Sequence, residues 1–432
     1  MKQLLIIAAM ICSVMAHAQT SSQVRVVETL GDLIKRSPVA GEAVSVLGRF
    51  VPGDWGPARL MYATNSLFGG ATNQAHSFAS KATNLWWVSA DATAPKQDVR
   101  WWGAKGDGTD DSDAIQAAID YSGVHWKALH LNPGVVYGLA KPLRFETGLD
   151  DSDDYFAFRI EGNFATLKVL AATNAIKIEG KTVYTGLMQD LFITYDQVYT
   201  SPNAVAVSYE GRNGGGPAYN NLYNIAHRNI TVLRGYYGFK QQEWCSIWGS
   251  SWENTFFGQE MTGGAMKLST VSAFGNPNNR ILNSNARADL MTQPVYELNQ
   301  QSGTVLKNIE VNVISNVPAI YISASYNSRI ESSRIEVGWY SQDYTGPIFT
   351  ANNTHFKVDG FEVQSTVWNM PLWGFVVRDV AGPPWTADGQ MILDGISFRS
   401  CQKLTNNYVA VVASDYRRVQ VGRIGFQYTS PV

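Results

Sequence analysis

The sequence predicts an all-β protein that is, for most of its length, a parallel β-solenoid. Three observations carry that expectation. Of 432 residues, 45% are apolar, 12% aromatic and only 16% charged, with 38 glycines. Such a chain has enough apolar surface to offset its conformational entropy, and its bias toward Gly, Asn, Thr, Ser and aromatics fits short strands and tight turns rather than helices. Beyond about residue 185 a theme recurs: an Asn, Asp or Gly, once an Arg, followed by apolar, variable, apolar. It reads Asp190-Leu191-Phe192-Ile193, Asn229-Ile230-Thr231-Val232, Asn308-Ile309-Glu310-Val311, Arg334-Ile335-Glu336-Val337, Gly360-Phe361-Glu362-Val363 and Gly395-Ile396-Ser397-Phe398. With Thr255 and Ile281 filling the longest gap, the first apolar positions advance by 39, 25, 26, 28, 26, 26 and 35. A step near 26 is too short for a propeller blade, and no leucine ladder is present, so stacked coils of a solenoid fit best. Finally, only one amphipathic helix is expected early in this region, at Asp113–Tyr121, where Ile115 and Ile119 share a face. It suits the cap that an end coil needs.

Taken in order, residues 1–18 read as a signal peptide: Lys2, an apolar stretch Leu4–Met15, and the small-x-small site Ala16-His17-Ala18 before Gln19. The expected location is therefore secreted or periplasmic, and no apolar run is long enough to span a bilayer. Residues 19–95 read as a leader with a hairpin, Val44–Phe50 returning through Arg59–Tyr62 across the turn Pro52-Gly53-Asp54-Trp55-Gly56, followed by a connection from Gly69 to Asn84 and a strand at Leu85–Val88. Residues 96–432 form the solenoid domain. Cys245 and Cys401 are too few for a disulfide framework and are read as buried thiols. With 34 Lys and Arg against 36 Asp and Glu there is no basic excess, which excludes an electrostatic nucleic-acid footprint.

The run from Gly103 to Asp120, Gly-Ala-Lys-Gly-Asp-Gly-Thr-Asp-Asp-Ser-Asp-Ala-Ile-Gln-Ala-Ala-Ile-Asp, resembles the opening motif of the pectate-lyase superfamily, in particular its rhamnogalacturonase/epimerase-type and tailspike-like members. That resemblance implies a right-handed parallel β-helix of the pectin-lyase-like kind, a polysaccharide partner and, in the tailspike manner, a homotrimer. It also implies a carbohydrate-active enzyme, a glycoside hydrolase or polysaccharide lyase, or a noncatalytic glycan-binding β-helix. The motif itself reads as turn and helix cap, since it lacks the Lys-Ser/Thr of a phosphate loop and the ligand spacing of a calcium loop. No cofactor is required by this reading. Calcium is the ion that pectate lyases use, and Asp150-Asp151-Ser152-Asp153-Asp154 is the run that could take it.

Aligning the repeats places Glu310, Glu336 and Glu362 in one outward column, with Arg334 as the neighbouring cation and Gly338, Gly360 and Gly395 leaving room for a sugar chain. Glycoside hydrolysis needs paired carboxyls, and coils about 4.8 Å apart could set their separation. Glu310, Glu336, Glu362 and Arg334 are accordingly the expected catalytic residues, and Trp339, Trp368, Gln364 and Arg399 the expected substrate-binding ones. The polygalacturonase strings Asn-Thr-Asp, Gly-His-Gly and Arg-Ile-Lys are missing, so that subgroup's residues are not carried over. For β-elimination the base and cation candidates are His227, Arg228, Arg334, His355 and Lys357, none in a distinctive motif. Among the tryptophans, Trp244, Trp248 and Trp252 recur every four residues, and Trp373 and Trp385 join Trp368 in later segments; each can stack on sugars or fill the core.

Overall fold

A computed structural model of the chain describes residues 24–427, apart from 55–57, 65–74, 82–84, 126, 147–155, 180–181, 211–220, 243–244, 259, 272–274, 314–316, 324, 338–346, 353–355, 366–372, 379–389 and 400–417. The expected signal peptide, Asp150–Asp154, His355 and Cys401 lie outside these residues. The chain divides into two compact units that part between Gly106 and Asp107.

In the first unit the expected hairpin is Ala43–Gly48 paired antiparallel with Arg59–Thr64. It sits inside a five-stranded sheet in the order Arg25–Thr29, Ala43–Gly48, Arg59–Thr64, Trp86–Ser89, Ser77–Ala79, over a core of Leu33, Val44, Val46, Met61 and Trp87. Arg59 is buried in it. Its guanidinium is matched by Asp91 at 2.9 Å, Ser89 Oγ at 2.7 Å and the Ala75 carbonyl at 2.8 Å, as a buried cation requires.

The second unit is a right-handed β-solenoid of about 8 turns. One helix, Ser112–His125, packs on the strands Ala128–His130, Leu143–Glu146 and Phe156–Val169 of the first turns, with Ile115, Ala118 and Ile119 buried. The acidic motif that precedes it is cap chemistry. Asp110 Oδ1 accepts from Ser112 N and from Ala140 N, while Ser112 Oγ accepts from Ala140 N and Lys141 N, so one turn is sewn to the next. Burial opposes ionisation of Asp110, but these bonds and nearby Lys141 hold its carboxyl below the usual range.

Each turn gives one strand to a nine-stranded parallel sheet running from Leu143–Glu146 to Trp373–Arg378. The rest of the turn is an arm, a corner and a second arm. The corner residues have left-handed backbone: Asp190, Asn229, Asn254, Asn283, Asn308, Ser332, Gly360 and Gly395, with φ between 49° and 70°. Only Gly and short polar residues take that conformation at low cost, which is why the repeat theme opens on Asn, Asp or Gly. From Asp190 to Asn308 the corner side chains also join: Asn229 Nδ2 donates to Asp190 at 2.7 Å, Asn254 to Asn229 at 3.2 Å, Asn283 to Asn254 at 3.3 Å and Asn308 to Asn283 at 2.9 Å. Gly360 and Gly395 are therefore corners rather than the floor of a groove; Gly338 lies outside the described residues.

After each corner, alternate side chains enter the core. Leu191, Ile193, Ile230, Val232, Phe257, Ile309, Val311, Phe361 and Val363 are all buried. Aligned inward positions are Leu191, Ile230, Thr255, Ser284, Ile309, Ser333, Phe361 and Ile396. Two expected positions are corrected here: Ile281 yields to Ser284 and Ile335 to Ser333. Both serines are buried polar residues whose bonds replace apolar packing. Ser333 Oγ donates to the Glu331 carbonyl at 3.0 Å and accepts from Ile309 N at 3.2 Å; Ser284 Oγ meets Thr255 Oγ1 at 2.6 Å and Tyr296 OH at 2.8 Å.

Candidate functional site

Outward positions of the arm after the corner form two columns along the solenoid. In the first, Thr166, Phe192, Thr231, Phe256, Asn285, Glu310, Arg334, Glu362 and Ser397 face one another in register. In the second, Arg287, Asn312, Glu336, Gln364 and Arg399 follow. The expected single glutamate column is thus corrected. Glu310 and Glu362 share a column, but Arg334 stands between them, and Glu336 belongs to the neighbouring column with Asn312 and Gln364. The cause is the corner at Ser332, two residues earlier than the alignment placed it.

The correction gathers the same four residues more closely. Arg334 Nη2 lies 3.7 Å from Glu336 and its Nε 3.9 Å from Glu362, and Nη2 also donates to Gln364 Oε1. Glu310 is its strand partner on the other side. The Arg334 side chain is 43% exposed against 23% for Glu362 and 11% for Glu336, so a partly exposed guanidinium, its Nε shielded from solvent, stands between two more sheltered carboxylates. Glu336 is diagonal to both Glu310 and Glu362, which in a sheet means Cα separations of about 7–8 Å. Two strand steps put Glu310 and Glu362 about 9.6 Å apart. Trp339, Trp368, Trp244 and Trp385 lie outside the described residues. Arg399 stands in register with Gln364, and Trp373 lies in the strand Trp373–Arg378.

True acidic columns occur elsewhere and were not anticipated. Glu331, Asp359 and Asp394 align on the arm before the corner, each beside a cation: Arg329 at 2.8 Å, Lys357 at 3.1 Å and Arg423 at 3.4 Å. Glu146, Glu179 and Glu210 align on the nine-stranded sheet, with Arg144 2.6 Å from Glu179 and Lys177 2.8 Å from Glu210. The Asp359-Gly360 and Asp394-Gly395 pairs were the available signal for the first: an acid directly ahead of a left-handed corner. Among the described residues no group of three or more His, Cys, Asp or Glu is placed to hold a metal ion.

The other expected candidates separate. His227 is inside the core, stacked on Trp252 at 5.2 Å, accepting from Tyr209 OH at 2.8 Å and donating from Nδ1 to the Ser251 carbonyl at 3.0 Å. Trp252 Nε1 donates to the same Tyr209 oxygen at 3.1 Å. Burial pushes the His227 imidazole down to about 4, against the raising effect of the Ser251 carbonyl, so it is neutral and structural. Arg228 pairs with Glu253 at 3.4 Å, and Trp248 is half-buried against Tyr223. Cys245 is a buried thiol, as expected.

No family model and no curated protein sequence matches the chain. Solved structures do. The tailspike protein of Acinetobacter phage vB_ApiP_P1 is 13% identical with a TM-score of 0.62, over 94% of this chain and 71% of that one. The Pantoea stewartii protein WceF, described as a glycan biofilm modifying enzyme with a tailspike-like parallel β-helix fold, is 14% identical with a TM-score of 0.60, over 85% of this chain and 51% of WceF. The Acinetobacter baumannii phage AM24 tailspike is 14% identical with a TM-score of 0.59, over 93% and 65%. The chain thus spans about half the length of WceF. At these identities the likeness concerns architecture, and the architecture is that of the tailspike-like parallel β-helix proteins.

Proposed function

We propose that this protein processes a glycan bound across the outward face of its β-helix, with Glu336 and Glu362 as the acid/base pair and Arg334 between them. The observation that carries the reading is the approach of two glutamates, Glu336 and Glu362, to one partly exposed arginine that has Glu310 as its strand partner, on a scaffold shared with a glycan-modifying enzyme and with tailspikes. Inverting glycoside hydrolysis needs two carboxyl groups about 6.5–9.5 Å apart, one to protonate the leaving oxygen and one to activate water. The diagonal placement of Glu336 and Glu362 is compatible with that span. Arg334, held by Gln364, keeps both carboxylates oriented; Glu310 closes the other side. Gln364, Arg399, Trp339 and Trp368 are the proposed contacts to sugars beyond the scissile bond. Hydrolysis is preferred to β-elimination because the cation that would receive a uronate carboxylate is already engaged by glutamates.

The test is product analysis on soluble polysaccharides with wild type, Glu336→Gln and Glu362→Gln. Hydrolysis predicts new reducing ends without an unsaturated-uronate chromophore, and a loss of at least about 100-fold in each variant. Full activity in both folded variants removes the pair from the mechanism. The chromophore would assign elimination, and retention without cleavage would leave a glycan-binding protein.

A further inference from the structure

Three phenylalanines on the outward face are exposed, whereas Phe158, Phe239, Phe257, Phe349, Phe356 and Phe361 are buried. Phe192 and Phe256 are 38% and 37% accessible and occupy the same column as Glu310, Arg334 and Glu362. The third, Phe164, is 57% accessible and lies 6.4 Å from Phe192 between ring centroids. Its position is unusual. The strand Phe156–Val169 carries two residues more than its partner at this corner, Glu161 pairing with Gln189 but Ala165 with Leu191, and both Asn163 and Phe164 have left-handed backbone, at φ 50° and 62°. A bulky aromatic in that region is strained. The ring is more than half exposed, so burial in the core does not account for the strain.

Building on the glycan reading above, we infer that Phe164, Phe192 and Phe256 form a stacking platform that holds the glycan on the amino-terminal side of the Glu336–Glu362 pair. Phe192 and Phe256 are two strand steps apart, about 9.6 Å, wide enough for each phenyl face to hold a separate sugar ring. Phe256 is three steps, about 14 Å, from Arg334, so a short oligosaccharide on the platform reaches the carboxylates. Thr231 stands between Phe192 and Phe256 and Thr166 beside Phe192, hydroxyl-bearing residues that suit the sugar's own hydroxyls. They interrupt the aromatic column so that, with half-buried Leu233 as its aliphatic neighbour, it alternates apolar and polar along the solenoid.

Affinity electrophoresis decides it, in gels containing, one at a time, hydroxyethylcellulose, xylan, galactomannan, polygalacturonate and xanthan. Wild type is expected to be retarded in at least one of them, and Phe192→Ala and Phe256→Ala each to raise that Kd about three- to tenfold. Both side chains are surface-exposed, so the variants keep the core intact. Phe164→Asn, which suits the left-handed backbone, is expected to melt at a higher temperature yet bind more weakly; a lower melting temperature with unchanged binding would remove Phe164 from the platform. Retarded wild type with an equally retarded Phe192→Ala/Phe256→Ala double variant overturns the platform and leaves the glycan reading standing. If no gel retards the wild type, the glycan reading fails and the platform fails with it.

Discussion

Between Asp190 and Asn308 the corners of the solenoid are joined side chain to side chain by amides, whereas from Ser332 onward they are a serine and two glycines; a carboxylate–cation pair such as Arg228–Glu253 occurs beside the amide corners, and such pairs recur at Glu331, Asp359 and Asp394 beside the others. The core differs less. The first half buries the stacked and hydrogen-bonded set His227, Trp252, Tyr209 and Phe239, and both halves accept a serine at an inward position, Ser284 in one and Ser333 in the other. The same backbone corner can thus be satisfied in two ways. Amides add directional bonds along the axis, and glycine or serine removes them. The half without the ladder also carries the Arg334 cluster, whose contacts are long and partly exposed. Such ion pairs add little stability, so the stabilising bonds and the reactive groups are segregated along one helix.

The largest way to break this contrast is at the aromatic set. Trp252→Ala empties a fully buried indole site, unstacks His227 and takes the donor from Tyr209 OH; the expected cost is about 3–5 kcal/mol, read as a fall in the urea midpoint. Acid acts on the same place. His227 titrates near 4 when folded, below its ordinary value of about 6.5, so the unfolded chain takes up the proton first. Its contribution is complete above pH about 6.5 and is lost as the pH falls toward about 4, a change of about 3 kcal/mol. Asp394 in the other half is also held below the usual range, by bonds from the backbone and side chain of Arg423, so its contribution is lost only at more acid pH, as its folded value is crossed. Urea midpoints at pH 7, 5 and 4 should therefore fall over the histidine window, and His227→Gln should flatten that slope.

The ladder itself is the next step down. Asn254→Ala forfeits two side-chain bonds and forces a Cβ-bearing residue without amide compensation into φ 53°, at an expected cost of about 1–2 kcal/mol; Asn254→Gly should recover the conformational part of it. The amides were visible in the sequence because the left-handed corner admits few residue types, and the inward positions were visible as apolar alternation. What could not be seen was the phase of two coils: Ile281 lies on the arm before the corner at Asn283, three residues ahead of the inward Ser284, and the coil at Ser332 is displaced by two. Arg334-Ile335-Glu336-Val337 mimics the repeat two residues late, and because strand side chains alternate with period 2, a slip of two leaves every residue on its proper face. Hydrophobic patterning is blind to such an error. Glu310, Glu336, Glu362 and Arg334 were therefore legible as outward residues of neighbouring coils, while their arrangement around the arginine was not. The exposed phenylalanines escaped notice for a related reason: Phe164 depends on a two-residue insertion that only pairing reveals.

The smallest expected effects come from trying to convert one half into the other. At Gly360 a Cβ would meet its nearest neighbour, Ser332 N, at 3.5 Å, an ordinary contact, and Asn accepts the left-handed backbone there. Gly360→Asn should shift stability by no more than about 0.5 kcal/mol. At Gly395 the same atom would stand 2.9 Å from Gly360 N, inside normal contact with backbone, so Gly395→Asn should be the more costly of the two despite the same φ class. Arg334→Leu completes the series. It removes a cation whose carboxylate contacts are 3.7 and 3.9 Å long and whose side chain is 43% exposed, so the cost should stay within about 1 kcal/mol and shrink further in high salt, where the glutamates left behind repel less. Glycan processing should nevertheless fall much further than stability does, because the guanidinium orients both carboxylates. Parallel loss of the two would instead make Arg334 a structural ion-pair partner, and the charged half would differ from the amide half only in how it is held together.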